Sequence, residues 1–491
     1  MKLAVKKDLE KLKAGDVCCI FITEEQIANC IDILPEQIKT AVSSINIDSF
    51  KGKLGECFFV PLKKAPSLII CGLGKTIELR PELFRRAGAS LTSFCISKNI
   101  RNINCLPPKP GTFVEAETIQ LSAEGIALSN YKFDKFKTTD DKKTKLIESC
   151  TFISMDPLSI QIIHTLQIIY NNTVLCRDLV NDSSYNSTPE NIANIAKKLV
   201  TDKNAKCQIF GKKQLEDMKM GLLLAVNQGS ARSAQMVVLT YKGDPSNKES
   251  IALVGKGLTY DSGGMNLKGS GHIEAMRMDM AGAATVMYAF KAAVELKLKK
   301  NIYAVLPLTE NMLSNNSYRA GDVYTAYNGL TVEIGNTDAE GRLILADAIA
   351  YTVDKLKPSY IIDLATLTGA CVITFGELVA GLISTDITLE NRLRKASEKT
   401  GEKLWPLPLY KEYEENMKSD IADINNTASE KNSGTIHGAA FLKNFVNKVP
   451  WAHIDIAGTA WHTKDRGYRP KNATAFGLRL IISLLSNWDE K

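Results

Sequence analysis

The chain lacks several features that would settle its class at once. It has no run of about 18 apolar residues, so nothing reads as a membrane-spanning helix. Its first residues, MKLAVKKDLEKLKAGD, break into charges too early for a signal-peptide core, so a cytoplasmic location is expected. Eleven cysteines include no C-x-x-C pair. In a chain of 491 residues they read as buried thiols in a reducing compartment rather than a disulfide framework. There are five histidines and no H-E-x-x-H, which excludes a zinc site built on that helical pair. No G-x-S-x-G elbow occurs, and Gly255-Lys256-Gly257 lacks the spacing of a phosphate-binding loop. Charge of one sign is not in great excess: 61 basic against 54 acidic residues gives +7, without the dense stripe expected of a nucleic-acid-binding domain. Two short basic stretches, Lys142, Lys143 and Lys145, and Lys297, Lys299 and Lys300, read as solvated surface.

What is present is ordinary globular composition, in a chain long enough for two domains. In the first third, Val17 to Ile22 and Ser67 to Cys71 read as buried strands, and Pro81 to Ser97 as a helix. Prolines 107, 108 and 110 mark a loop, and Asp140 to Lys145 is polar. Leu158 to Val180 has helical spacing, and Thr188-Pro189-Glu190 reads as a cap and first turn. From about residue 250 the chain repeats strand, polar loop and helix. Ile251 to Val254, Ile302 to Leu306 and Tyr360 to Leu364 are the strands; Ile273 to Leu298 and Leu343 to Leu356 are each expected to be one helix. The expected fold class is α/β: a small N-terminal α/β domain, 1–160, and a larger C-terminal α/β catalytic domain, 161–491, with a central mixed, largely parallel sheet.

Acidic residues stand in the loops where such sheets bind ligands. Asp261 follows a strand, Asp279 lies in an apolar stretch, and Asp338 and Glu340 lie two apart between glycines. In an extended segment that spacing turns both carboxylates to one side, and a divalent cation relieves their repulsion. Singly, each acid also has a plain structural role: a turn cap for Asp261, a partner of Arg277 for Asp279, a helix start for Glu340. Lys256, Lys268 and Arg342 also fit a surface role.

Resemblance narrows these choices. Val254-Gly255-Lys256-Gly257-Leu258-Thr259-Tyr260-Asp261-Ser262-Gly263-Gly264 resembles the first metal loop of the leucine aminopeptidase (cytosol aminopeptidase) family. Asn336-Thr337-Asp338-Ala339-Glu340-Gly341-Arg342-Leu343 matches that family's signature octapeptide in full. Arg177 to Asn181, Asp279 with Ala283-Ala284, Asp363 to Gly369, and Ala452 to Gly458 agree in type and order. The resemblance spans roughly residues 170 to 480 and is slight in the first 160.

It implies two divalent metal ions. Lys256, Asp261, Asp279 and Glu340 would hold one, and Asp261, Asp338 and Glu340 the other; zinc or manganese is expected, with cobalt or magnesium at the looser site. It also implies Lys268 and Arg342 as catalytic cations, with the arginine holding a bicarbonate that serves as general base in the family; that no histidine or spare glutamate is assignable to that task agrees with this. Met276, Thr366, Gly369, Ala457 and Ala460 resemble the wall of the first side-chain pocket, where leucine or methionine fits; ordinary core is the other reading. Peptides with free N-termini are the implied substrates, and a homohexamer the implied assembly. Gly269 and the Ser233-Ala234 pair stand where relatives often carry proline, which bears on loop stiffness. His272 reads as a loop residue. A DNA-binding role stays open but nothing in the sequence indicates it.

Overall fold

The computed structural model describes residues 1–7, 12–32, 34, 36–42, 47, 49–111, 113–139, 143–430 and 432–490. Asp140 and Lys142 of the polar stretch singled out above lie outside them; Lys143 and Lys145 are exposed. The chain forms two compact units, Met1–Asn171 with Lys464–Lys471, and Asn172–Thr463 with Asn472–Lys491. Among the described residues no helix is long and apolar enough to cross a membrane.

The first unit holds a six-stranded sheet of β1 (Lys2–Lys6), β2 (Val17–Ile22), β3 (Cys57–Val60), β4 (Ser67–Gly72), β5 (Asn102–Cys105) and β6 (Ser149–Ile153), in the order β1-β6-β5-β2-β4-β3. Every pairing is parallel except β3 with β4. The continuous apolar runs of β2 and β4 are buried on both faces, as central parallel strands require. The helix Pro81–Ser97 begins on its proline and packs on Glu115–Ser129. The close approach of these helices is set by glycine: a Cβ on Gly125 would lie 2.0 Å from the Arg85 carbonyl oxygen.

The second unit is built on a sheet of β7 (Ala205–Phe210), β8 (Gln235–Lys242), β9 (Ser250–Gly255), β10 (Gly257–Asp261), β11 (Asn301–Asn311), and four later strands. After the short β12 (Val323–Thr325) and β13 (Thr331–Glu333) come β14 (Tyr360–Ala365), β15 (Val379–Ser384) and β16 (Lys403–Pro406). The short β17 (Ile424–Asn425) precedes β18 (Trp451–Asp455). The order is β16-β15-β18-β14-β9-β11-β8-β7, with β10 beside β11. The centre, β18-β14-β9-β11-β10, is parallel, and antiparallel pairings enter at β15–β18 and β8. The expected mixed, largely parallel sheet is what forms. Ala252 and Val254 face a core that includes Leu343 and Ile344 of the helix Gly341–Tyr351, whereas Gly255, one step on, meets the backbone of Ala283 in the helix Ala281–Glu295. Helices therefore cover both faces.

Three local expectations need correction. Residues 273–298 are not one helix: Ile273–Met280 is a 3-10 helix, and the α-helix runs Ala281–Glu295. Over two turns, periods of 3.0 and 3.6 residues differ too little for apolar spacing to separate them. The helix placed at 343–356 starts at Gly341, and its last turn, Thr352–Leu356, widens to a π-helix that Lys357 ends at φ 49°. Residues 336–340 form a turn rather than an extended segment: the amides of Asp338 and Ala339 bond back to the Asn336 side chain and carbonyl. No cysteine forms a disulfide; nine of the eleven are buried, and Cys57 and Cys207 are half-buried.

Candidate metal centre and side-chain pocket

Lys256 lies between β9 and β10, where its amide donates to the Leu364 carbonyl and its carbonyl accepts from Ala283. Its buried side chain crosses the start of the helix Gly341–Tyr351. A Cβ on Gly341 would come within 2.5 Å of Lys256 Cε, so any side chain there would push the lysine from this position. The ammonium lies 2.8 Å from Asp279 Oδ2 and 3.0 Å from Glu340 Oε1, and donates to the Thr366 carbonyl at 2.9 Å. Burial pulls its pKa down, but Asp279, Glu340 and Asp261 outweigh that and hold it up.

Asp261 ends β10. Its Oδ1 accepts from the Gly263 amide at 2.8 Å and from Asn311 Nδ2 at 2.9 Å. Its Oδ2 lies 2.8 Å from Lys268 Nζ, which also reaches Asp338 Oδ1 at 2.6 Å. Gly263 and Gly264, at φ 86° and 64°, take the left-handed turn that brings Lys268 back over the acids. Asp279 and Glu340 each stand at the start of a helix, just before Ala281–Glu295 and Gly341–Tyr351, where the positive end of the dipole favours an anion. Thr366 donates its hydroxyl to Asp279 Oδ1 at 2.6 Å.

The five residues expected to hold metal and the Lys268 side chain are thus brought together. Ligand oxygens of Asp261, Asp338 and Glu340 lie within 4.8 Å of one another. Burial pushes Asp279, Glu340 and Asp338 above the usual carboxylate range, with the Asp261 charge adding to it. Glu340 Oε2 is buried and lacks a hydrogen-bond partner. Four crowded carboxylates facing two ammoniums, with an orphaned oxygen, fit a site for divalent cations.

Arg342, on the first turn of its helix, is buried at 9% exposure, and Nη1 donates to the Asn426 carbonyl at 2.8 Å. Burial draws its guanidinium down to about 10. Asn426 also fixes the signature turn, accepting from the amides of Gly335 and Asn336. Near this arginine stands a histidine that the sequence had not pointed to. His437 is buried on the helix Gly434–Lys443, its pKa lowered first by burial and also by the charge of Arg342. Its Nε2 meets Asn416 Nδ2 at 3.3 Å and so accepts. His272 is exposed.

The five pocket candidates sit on three segments. Met276 is half-buried in the 3-10 helix that carries Asp279. Thr366 and Gly369 follow β14, with open space where a Cβ on Gly369 would stand. Ala457 and Ala460 follow β18, the parallel neighbour of β14. Arg277 lies over the Trp461 ring at 5.3 Å, which sets the Met276 turn beside the Ala460 segment. Gly269 has no heavy atom within 4 Å of a Cβ position, so a side chain fits there, while its carbonyl accepts from the amides of His272 and Ile273. Spacing did not reveal Asn311, Asn426 or the link of Thr366 to Asp279. A buried amide at the end of β11 was the available signal for the first.

Comparison with known proteins agrees with this geometry. The family model described as cytosol aminopeptidase family, catalytic domain, matches residues 174–482, and that described as the same family's N-terminal domain matches 25–140. The second match lies where the sequence alone showed little resemblance. A probable cytosol aminopeptidase of Protochlamydia amoebophila (strain UWE25) is 39% identical, covering 99% of this chain and 98% of the relative. One of Chlamydia abortus (strain DSM 27085 / S26/3) is 40% identical over 98% of each. Among solved structures, the bottromycin maturation enzyme BotP, also described in complex with Mn, superposes with a TM-score of 0.85 at 29% identity, covering 97% of this chain and 100% of that one.

Proposed function

This chain belongs to the cytosol aminopeptidase family and is a metal-dependent aminopeptidase, and from that premise we propose that it releases leucine or a similar apolar residue from peptides with free N-termini, using two divalent ions. The observation that carries this reading is the convergence of Asp261, Asp338 and Glu340 on one point beside Lys256, Asp279 and Lys268. Lys256, Asp261, Asp279 and Glu340 would hold one ion and Asp261, Asp338 and Glu340 the other, with Asp261 and Glu340 common to both sets. Divalent ions held there would supply Lewis acidity, for a water nucleophile near neutral pH and for the scissile carbonyl. Zinc or manganese is the expected occupant, with cobalt or magnesium at the exchangeable site. The manganese described with BotP supports this set.

Lys256 ligates only as the neutral amine, so loading displaces its proton. Lys268, already at the rim of the acids, stabilises the developing oxyanion. Arg342 is a buried cation that feels the charges of Glu340 and Asp455, but among the described residues no carboxylate lies within ion-pair distance of it. It therefore suits a small planar anion, and bicarbonate held there acts as general base. Met276, Thr366, Gly369, Ala457 and Ala460 form an apolar pocket for the first side chain. The division at 1–160 and 161–491 places all of these residues in the second part. The enzyme is cytoplasmic and works as a homohexamer on this reading.

The test is release of amine from a leucyl anilide by metal-stripped protein, with and without added manganese or zinc. Metal-restored cleavage is expected, and none of the N-acetylated substrate. Cleavage that is indifferent to metal, or equal on the acetylated substrate, overturns the reading.

A further inference from the structure

The five pocket residues lie on loops that leave two neighbouring strands, and one wholly buried carboxylate joins those loops. Asp455 is the last residue of β18, in register with Ala365, the last of β14. Its Oδ1 accepts from the amide of Leu367, at 3.2 Å, and from that of Ala457, at 3.1 Å. Its Oδ2 accepts the Thr368 hydroxyl at 2.6 Å. That hydroxyl has a single proton, given to the carboxylate, so its contact with Thr435 Oγ1 at 3.0 Å and with the Cys371 amide at 3.2 Å must be accepting ones. The carboxylate thereby orients a chain that runs into the helix Gly434–Lys443. Beyond their last paired residues two strands ordinarily diverge. Here three donors from both exits converge on one acceptor group, in a place where an unsatisfied polar atom costs dearly.

The loop so held also reaches the metal-site residues. One residue before Leu367, Thr366 presents its carbonyl to Lys256 at 2.9 Å and its hydroxyl to Asp279 at 2.6 Å. The second loop has little freedom of its own, since a Cβ on Gly458 would meet the Gly376 carbonyl oxygen at 2.0 Å. We propose that Asp455 is a positioning residue for specificity: by accepting hydrogen bonds from Leu367, Thr368 and Ala457 it fixes the distance between the two walls of the first side-chain pocket and the pose of Thr366 beside Asp279. This rests on the assignment of the pocket made above.

The experiment compares kcat/KM for leucyl and alanyl anilides, with metal content measured for each protein. Asp455→Ala is expected to lower the leucyl-to-alanyl ratio by about 10-fold, the scale on which a hydrophobic pocket resolves side chains. The loss falls mainly in KM for the leucyl substrate, with metal content retained. Asp455→Asn keeps an oxygen for the two amides, and Thr368 can turn its hydroxyl to accept, so it restores the ratio to within about 3-fold. Thr368→Val leaves the carboxylate in place and lowers the same ratio; it serves if Asp455→Ala does not fold. The stability control is Asp347→Ala. Asp347 is also fully buried, but it accepts from Leu222, Leu223 and Tyr327 instead; its loss lowers the melting temperature and leaves the ratio alone. An unchanged ratio in both Asp455→Ala and Thr368→Val, or equal loss in Asp455→Asn and Asp455→Ala, overturns the proposal while the aminopeptidase reading stands. Failure of the unaltered enzyme to cleave either anilide with any metal overturns both.

Discussion

Two buried charge clusters, one in each unit, are built on opposite terms. In the N-terminal unit Arg85, 1% exposed, meets Glu124, 6% exposed, at 2.6 Å between two packed helices. Glu82 Oε2 lies further off, 4.0 Å from Arg85 Nη1, so the protein itself supplies the counter-charge of this cation. In the second unit Asp261, Asp279, Asp338 and Glu340 form ion pairs, among the described residues, with only Lys256 and Lys268, while Arg342 acts on Glu340 from beyond ion-pair distance, so four carboxylates meet two ammoniums. A balanced buried pair holds helices in place; an unbalanced cluster is stable only with protons or with cations from solution. The difference separates a structural use of buried charge from a binding one without reference to which residues are shared with relatives.

The sharpest way to break this contrast is Glu340→Ala. It removes a shared ligand, so metal content and turnover are expected to vanish together, while the metal-free protein melts no lower than the parent, because a crowded acid has gone. Retained activity, read in the anilide assay with metal analysis, would sink the two-ion assignment. Next in size is Lys268→Ala, expected to keep both ions and lose about 10²–10³-fold in kcat, the usual cost of one oxyanion donor. Loss of metal in that variant makes the lysine structural instead. Glu124→Ala probes the other cluster. Taking away the 2.6 Å partner of Arg85, with Glu82 remaining at 4.0 Å, is expected to destabilise by about 3 kcal/mol in denaturant unfolding, with metal content of the folded protein unchanged. The smallest effect is in pH. Burial holds Glu340 and Asp279 above the ordinary carboxylate range in the absence of metal. The folded stripped protein then binds more protons than the unfolded chain, so its stability is full below the unfolded values near pH 4–5 and falls as pH rises through the raised ones. Metal competes with those protons, so the rise in melting temperature on adding manganese should be larger at pH 8 than at pH 6. A rise no larger at pH 8 than at pH 6 would show that loading releases protons neither from these acids nor from Lys256.

Much of this was readable beforehand, and the failures are instructive. The buried strands Val17–Ile22 and Tyr360–Ala365 announce themselves by composition, and Thr188 does cap its helix by accepting from Asn191. Asp338 and Glu340 were paired on the argument that they lie in extended chain; they meet because a turn and a helix start bring them round. The Ile273–Met280 segment reads as α-helix by spacing yet winds as 3-10, which delivers Asp279 to Lys256. Asn311 and Asn426 carry no local pattern, since each acts on a segment far away in the chain, and the stretch that holds Asp455 matches the family without showing that its carboxylate reaches Leu367 and Thr368.

The sequence by itself determined the class of fold, the reacting residue types and the glycines that let backbone approach side chain, because periodicity, charge and the absence of a Cβ are local properties. Only the tertiary structure decided that two lysines would stand against four acids, that His437 would lie near Arg342, and that one carboxylate would tie two loops. These depend on which strand ends neighbour each other in the sheet. That order is set by packing over the whole second unit, and no short stretch of chain encodes it.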